Sequence, residues 1–338
     1  MSSSASALAA FHPHHLRRVV PGVALCAGLA AAATALHAMP GFSLLSVMIL
    51  AILLGMLLHN LVGTPDWARA GTAFSLRWIL RGAIVLLGLQ LTVQQLGQVG
   101  ISSLLVIAAT LAASFIFTKT LGRALGVEAK LAELIAAGTA VCGASAVIAV
   151  DSVTRAPDED VAYAVACVTV FGGIAMFAYP ALYPLLNLTS HAYGLWAGAS
   201  IHEIAQVIAA AFQHGADAGH TATIAKLARI SLLAPLVLIL GVARTRRGGA
   251  RSGPLPVPFF VLGFAAMVAL NSLVTIPVKL HGDIAQITSF LLALSLAAMG
   301  LHTDFAKLRA KGLRPLLLGA AAWLFIAGFS LTLILLFA

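Results

Sequence analysis

The stretch Leu131-Ala-Glu-Leu-Ile-Ala-Ala-Gly-Thr-Ala-Val-Cys-Gly-Ala-Ser-Ala-Val-Ile-Ala-Val150 decides how this chain is read. A helix needs about 20 consecutive, mainly apolar residues to cross the hydrocarbon core of a bilayer, and this segment supplies them. Its centre departs from an ordinary span: Gly138-Thr-Ala-Val-Cys-Gly-Ala-Ser145 is a run of small and hydroxyl residues with two glycines five positions apart. Glycine weakens a helix by about 1 kcal/mol relative to alanine, so the run marks a candidate unwound point. Interrupted helices in transporters expose N–H groups whose partial positive charge faces anionic solutes. Close helix packing through small residues is the plainer alternative.

Outward from this segment the apolar texture continues from Val19 almost to Ala338. Of 338 residues, 61% are hydrophobic and 9% charged; a soluble domain carries roughly 25% charged residues, so no water-facing shell can be built here. Loops with Pro, Gly and charge divide the chain into eleven expected spans, at 19–38, 43–62, 77–96, 101–119, 130–150, 161–186, 192–213, 224–243, 257–275, 284–302 and 315–337. The expected fold is an all-α integral membrane bundle. One transmembrane domain over residues 19–338 follows a cytoplasmic tail of residues 1–18. Cys26, Cys142 and Cys167 are odd in number and lie in apolar segments, which argues against a disulfide framework. The formal charge of +9 does not indicate nucleic acid, because the basic residues are scattered through short loops.

Those loops set an orientation, since short basic loops stay in the cytoplasm. With the N-terminus inside, sixteen of the 20 Lys and Arg residues fall on the cytoplasmic side; Arg155, Lys226, Arg229 and Lys279 fall outside. Eleven spans then put the C-terminus on the external, periplasmic face of a cell inner membrane.

A charge at mid-bilayer costs about 2.5–3.5 kcal/mol on insertion scales, so each intramembrane ionisable group is a site candidate. Glu203 is the clearest, beside His202 within Gly198-Ala-Ser-Ile-His-Glu-Ile-Ala-Gln206. Its alternatives are a structural ion pair with Arg81, Lys226 or Arg229, or a substrate or proton-coupling role. Lys226 and Arg229 break the orientation rule at the expected external end of their span. Arg81 lies one turn inside Arg77 on a helix that starts at the cytoplasmic face. The candidate substrate-binding or coupling residues are Glu203, His202, Gln206, Arg229, Lys226, Arg81, Gly138, Thr139, Gly143, Ser145 and Ser200.

Two faint internal echoes accompany them. Gly138–Ala149 aligned with Gly198–Ala209 matches glycine with glycine and Val-Ile-Ala with Val-Ile-Ala; Gly88-Leu89 with Thr92 parallels Gly300-Leu301 with Thr303. The second echo joins oppositely oriented spans, as an inverted repeat requires. The first joins spans five and seven, which share an orientation, so the repeat register stays open.

The segments Gly138–Val147, Ser200-Ile-His-Glu-Ile-Ala-Gln-Val207, Ile224-Ala-Lys-Leu-Ala-Arg229 and Ala298-Met-Gly-Leu301 together resemble the YeiH family, also called UPF0324, from Pro21-Gly22 to the final helix. The family carries a sulfate-exporter label. It is grouped with the cation/proton antiporter and anion transporter superfamily, so the resemblance implies inverted bundles with discontinuous helices crossing near mid-membrane.

The function expected is secondary transport of a small anion, such as sulfate or a related sulfur oxyanion. The implied partners are that anionic solute, a coupling proton or cation and the lipid bilayer, with self-association left open. No cofactor and no nucleic acid are called for. A Walker-type GxxxxGK[ST] sequence does not occur. A passive anion channel is the nearest alternative. His202-Glu-Ile-Ala-Gln206 nearly spells the HExxH zinc-protease motif, but Gln206 stands where the second histidine ligand belongs.

Overall fold

The computed structural model describes residues 13–39, 42, 45–94, 100–245, 259–274, 276–303 and 312–337. The described residues are overwhelmingly helical. Among the described residues seven helical segments are long and apolar enough to cross a membrane, and Val47–Val62 and Phe259–Leu273 are shorter apolar helices. Residues 1–12, most of the expected cytoplasmic tail, and the basic segment 246–258 lie outside the described residues.

The chain divides into two compact units. The first comprises residues 1–92 and 263–304. It holds α1 (Pro13–His37), α2 (Val47–Val62), α3 (Asp66–Phe74), α4 (Leu80–Leu87), most of α13 (Phe259–Leu273) and α14 (Val278–His302). A π-helical turn, Ser75–Ile79, makes α3 and α4 one continuous rod. Helices α2 and α14 pack backbone to backbone: a Cβ on Gly300 would lie 2.9 Å from Gly55 Cα, so only glycine fits there. Gly300, half of one sequence echo, is thus explained by packing. Arg81 lies exposed on α4 in this unit.

The second unit, residues 93–262 and 305–338, holds every other candidate site residue. Its helices are α5 (Gly100–Ala124), α6 (Ala129–Ala140), α7 (Ala144–Thr154), α8 (Asp158–Leu186), α9 (Ser190–Ser200), α10 (Ile204–Phe212), α11 (Ala216–Ser231), α12 (Leu233–Thr245) and α15 (Leu313–Phe337). The candidate unwound point at Gly138–Ser145 is a break, and a second break falls within Gly198–Gln206. Helix α6 ends at Ala140 and α7 begins at Ala144; α9 ends at Ser200 and α10 begins at Ile204.

The breaks are turns, and this corrects the expectation that residues 130–150 and 192–213 each cross the membrane. Lys130 Nζ donates to the Arg155 carbonyl oxygen at 2.8 Å, and Thr154 Oγ1 donates to Glu133 Oε1 at 2.7 Å. The start of α6 therefore meets the end of α7. In the same way the Tyr193 hydroxyl donates to the Ala210 carbonyl oxygen at 3.2 Å, and the Tyr193 and His214 rings lie 5.3 Å apart. Each pair is a helical hairpin that returns to the side it came from. At 1.5 Å per residue a half-helix of about 11 residues reaches only about 17 Å, half of a bilayer core. Composition conceals this, because two apolar half-helices read like one whole span.

Helix α8 fixes where the hairpins point. The first opens beside its start, where Asp158 follows Arg155 by three residues; the second opens beside its end, where His214 Nε2 contacts the Pro180 carbonyl oxygen at 3.1 Å. Their tips reach its middle, where Val168 packs on Gly138 and Gly172 on Gln206. With 29 residues α8 is long enough to carry one hairpin at each end. Helix α11 returns from the mouth of the second hairpin, and α12 continues to the first, where Arg244 donates to the Val153 carbonyl oxygen. Lys119 closes that mouth by a 2.5 Å ion pair with Glu133.

Candidate functional site

Lys226 and Arg229 sit on α11, which starts at Ala216 rather than near Ile224 as expected. Asp217 and His220 make its first turns polar and hide that start in the sequence. The two cations are therefore in the middle of the rod Ala216–Arg244, not at its external end, and both are fully buried.

Their donors go to the ends of the half-helices. The last four carbonyls of a helix have no intrahelical partner. At the end of α6, the Ala137 oxygen accepts from Val141 N and the Gly138 oxygen from Gly143 N. Arg229 takes the other two, with Nε donating to Ala140 at 2.7 Å and Nη2 to Thr139. Arg229 Nη1 reaches the second hairpin, donating to the Ile201 carbonyl oxygen at 3.0 Å. Lys226 Nζ donates to Val141 at 2.9 Å, to Ile201 at 2.8 Å and to His202. The negative C-terminal ends of α6 and α9 are thus bound by two positive side chains from a third helix.

Glu203 belongs to the opposite poles. It is the N-cap residue of α10, and its side chain also lies against Gly143, the N-cap of α7, where a Cβ would come within 3.1 Å of Oε1. One carboxylate therefore serves two helix N-termini, where the exposed N–H groups favour negative charge. Thr169 Oγ1 on α8 donates to Oε1 at 3.0 Å. Gln206 holds the turn: its Oε1 accepts from Glu203 N at 3.1 Å and its Nε2 donates to the Thr169 carbonyl oxygen at 2.9 Å. Gly172 makes room for that amide, since a Cβ there would overlap the Gln206 side chain.

Neither cation is within salt-bridge distance of Glu203; the ion pairs among the described residues are Arg69–Asp66 and Lys119–Glu133. The remaining candidates divide by role. Ser145, one residue into α7, is exposed, and Glu203, Ile204 and Thr169 are half-buried. Gly138 is spent on packing, and Gly198 lets α9 approach α11 where a Cβ would lie 2.7 Å from Ala225 Cβ. Ser200 accepts from the Tyr179 hydroxyl at 2.9 Å and donates to the Trp196 carbonyl oxygen. Both ring nitrogens of His202 and the Thr139 hydroxyl are buried without a hydrogen-bond partner. Among the described residues no group of three His, Cys, Asp or Glu side chains could hold a metal ion. Thr169 and Gly172 were not singled out in the sequence, where nothing distinguishes them from other small residues of an apolar helix.

Residues 21–319 match the family described as Conserved hypothetical protein 698. The chain is 36% identical over 323 residues to the UPF0324 inner membrane protein YeiH of Escherichia coli K12, covering 93% of this chain and 90% of that one. It belongs to the UPF0324 family. A UPF0324 membrane protein of Pseudomonas aeruginosa is 38% identical over 335 residues, 94% of each chain, and one of Bacillus cereus is 34% identical over 302 residues, 88% of this chain and 89% of that one. No solved structure matches. These relatives are named as membrane proteins, in agreement with the all-helical apolar architecture of this UPF0324 chain.

Proposed function

We propose that this UPF0324 protein is a secondary transporter of a small anion, with the solute taken up at the N-terminal side of the two hairpin tips. The observation that carries the reading is the position of Glu203. Its carboxylate stands at the positive ends of both α7 and α10, with Thr169 donating to it and Ser145 exposed in the first turn of α7. That is where a solute anion would be held, so an anion enters when Glu203 takes up a proton or swings aside. Proton and anion are coupled in this way without an ATP-binding element.

Lys226 and Arg229 then act as the brace of the site, since all three donors of Lys226 and three of the five N–H donors of Arg229 are held by carbonyls. Sulfate, sulfite and small organic sulfonates fit the chemistry of two helix N-termini and hydroxyl donors. The test is uptake of each into proteoliposomes holding the purified chain. Saturable flux that responds to an imposed proton gradient supports the reading. Single-channel currents, or no flux of any small anion, overturn it.

A further inference from the structure

Lys226 and Arg229 are both fully buried and both donate only to backbone carbonyls, sharing that of Ile201, but Lys226 gathers its three oxygens around a single nitrogen whereas Arg229 spreads its three over a fork. Nζ is fully buried and donates to three neutral carbonyl oxygens, of Val141 at the tip of the first hairpin and of Ile201 and His202 at the tip of the second. An ammonium has three N–H donors, so none remains for another partner. Among the described residues no carboxylate lies within salt-bridge distance of it. Backbone carbonyls gathered at the C-terminal ends of interrupted helices are the ligands that membrane proteins offer to alkali cations: the oxygens replace the hydration shell, and the helix ends supply partial negative charge. The oxygens come from two separate hairpins, so whatever positive charge sits between them also ties the tips together.

We propose that Lys226 is a tethered cation filling an alkali-cation site between the two hairpin tips, so that the wild-type chain takes no Na⁺ or K⁺ there and the site opens to such an ion once the side chain is removed. The corollary, that anion movement is independent of Na⁺, rests on the transport reading. The site itself does not.

The experiment is thermal unfolding of the purified full-length protein in NaCl, KCl or choline chloride at equal ionic strength. The wild type should melt at the same temperature in all three. Lys226→Ala should melt lower in choline and recover saturably as Na⁺ or K⁺ replaces it. Lys226→Met fills the volume without charge or an opening for an ion, so it should melt low and equally in all three salts. Lys226→Ser, which retains a donor for one carbonyl, is melted alongside in case the alanine variant yields no folded protein, with the same recovery expected. An alkali-dependent rise in the wild type, no rise in either small variant, or an equal rise in Lys226→Met would each overturn the assignment. Absence of anion flux in the wild type would instead defeat the transport reading and leave the melting result standing.

Discussion

Lys130 Nζ reaches the carbonyl oxygen of Arg155 at 2.8 Å, tying the first turn of α6 to the residue that follows α7. The 12 and 11 residues of these helices, laid end to end, would hold the two residues roughly 35 Å apart at 1.5 Å per residue. Positions 130 and 155 therefore share one face of the membrane. Single cysteines replacing Lys130 and Arg155 should react with a membrane-impermeant thiol reagent from the same side, the cytoplasmic one, against a background whose native cysteines are all buried. Labelling of the two positions from opposite sides would restore a straight span.

Turning two expected spans into hairpins leaves the parity of the chain unchanged. It also removes most of the exceptions to the charge rule. With the N-terminus inside as expected, Arg155 falls on the cytoplasmic side, and Lys226 and Arg229 lie inside the bundle, which leaves Lys279 as the outlier. We therefore expect Met1 in the cytoplasm and Ala338 in the periplasm. A periplasm-active reporter fused after Ala338 should work; activity confined to a cytoplasm-active reporter there would show that one more segment crosses or fails to cross.

Three glycines of the second unit should respond differently to alanine. Gly143 has φ +72° and ψ −135°, and the added methyl would meet the Glu203 side chain. Backbone strain alone in that region costs roughly 1–3 kcal/mol. Gly172→Ala would push on the Gln206 amide and so on Glu203. Gly173 has nothing within 4 Å of an added Cβ, so Gly173→Ala should hold or raise the melting temperature, given the helix preference of about 1 kcal/mol for alanine. Melting curves of the three variants check the order, with Gly143→Ala and Gly172→Ala both below Gly173→Ala.

Fold class and the first break point were legible, because the glycine and hydroxyl run Gly138–Ser145 interrupts an otherwise apolar stretch; the second segment stood out by its charge, and its break did not. The reversal of direction was not legible. Residues 129–154 and 190–212 bury their backbone polar groups as half-helices, and their composition matches a full span of equal length. The reversal shows in pairs, Lys130 with Arg155 and Tyr193 with Ala210, and a single sequence does not display pairs. Gly138–Ala149 and Gly198–Ala209 each form the tip region and returning arm of a hairpin. Glu203, Lys226 and Arg229 stood out as charges in apolar surroundings, but the assignment of cations to carbonyls and of the acid to helix N-termini needed coordinates.

Arg229 should matter to folding before it matters to solute affinity. Arg229→Ala strips the donors from the Thr139 and Ala140 carbonyls, and hydrogen bonds of charged groups contribute about 1.5–3 kcal/mol each. The variant should lose folded yield and melt well below the wild type. Arg229→Lys should recover little, because one ammonium cannot copy a planar fork that spans two hairpins. Wild-type melting in Arg229→Ala, combined with a tenfold or larger loss of anion affinity, would return the residue to the role of solute ligand.

Glu203 should behave in the opposite way. With no cation in salt-bridge distance, Glu203→Gln strands no buried positive charge, and an amide oxygen still accepts from Thr169 Oγ1. Folded yield and melting temperature should stay close to those of the wild type. What the amide cannot do is exchange a proton or present a negative charge to the N-termini of α7 and α10. Anion flux in proteoliposomes, measured across a pH series, should therefore lose its pH dependence while solute binding persists. Glu203→Asp keeps the titrating group on a shorter arm, so it should retain a pH-dependent flux at reduced rate. Normal flux with unchanged pH dependence in Glu203→Gln would remove the residue from coupling. A large drop in melting temperature would instead mark the carboxylate as a structural cap on two helices, needed for the fold and silent in transport.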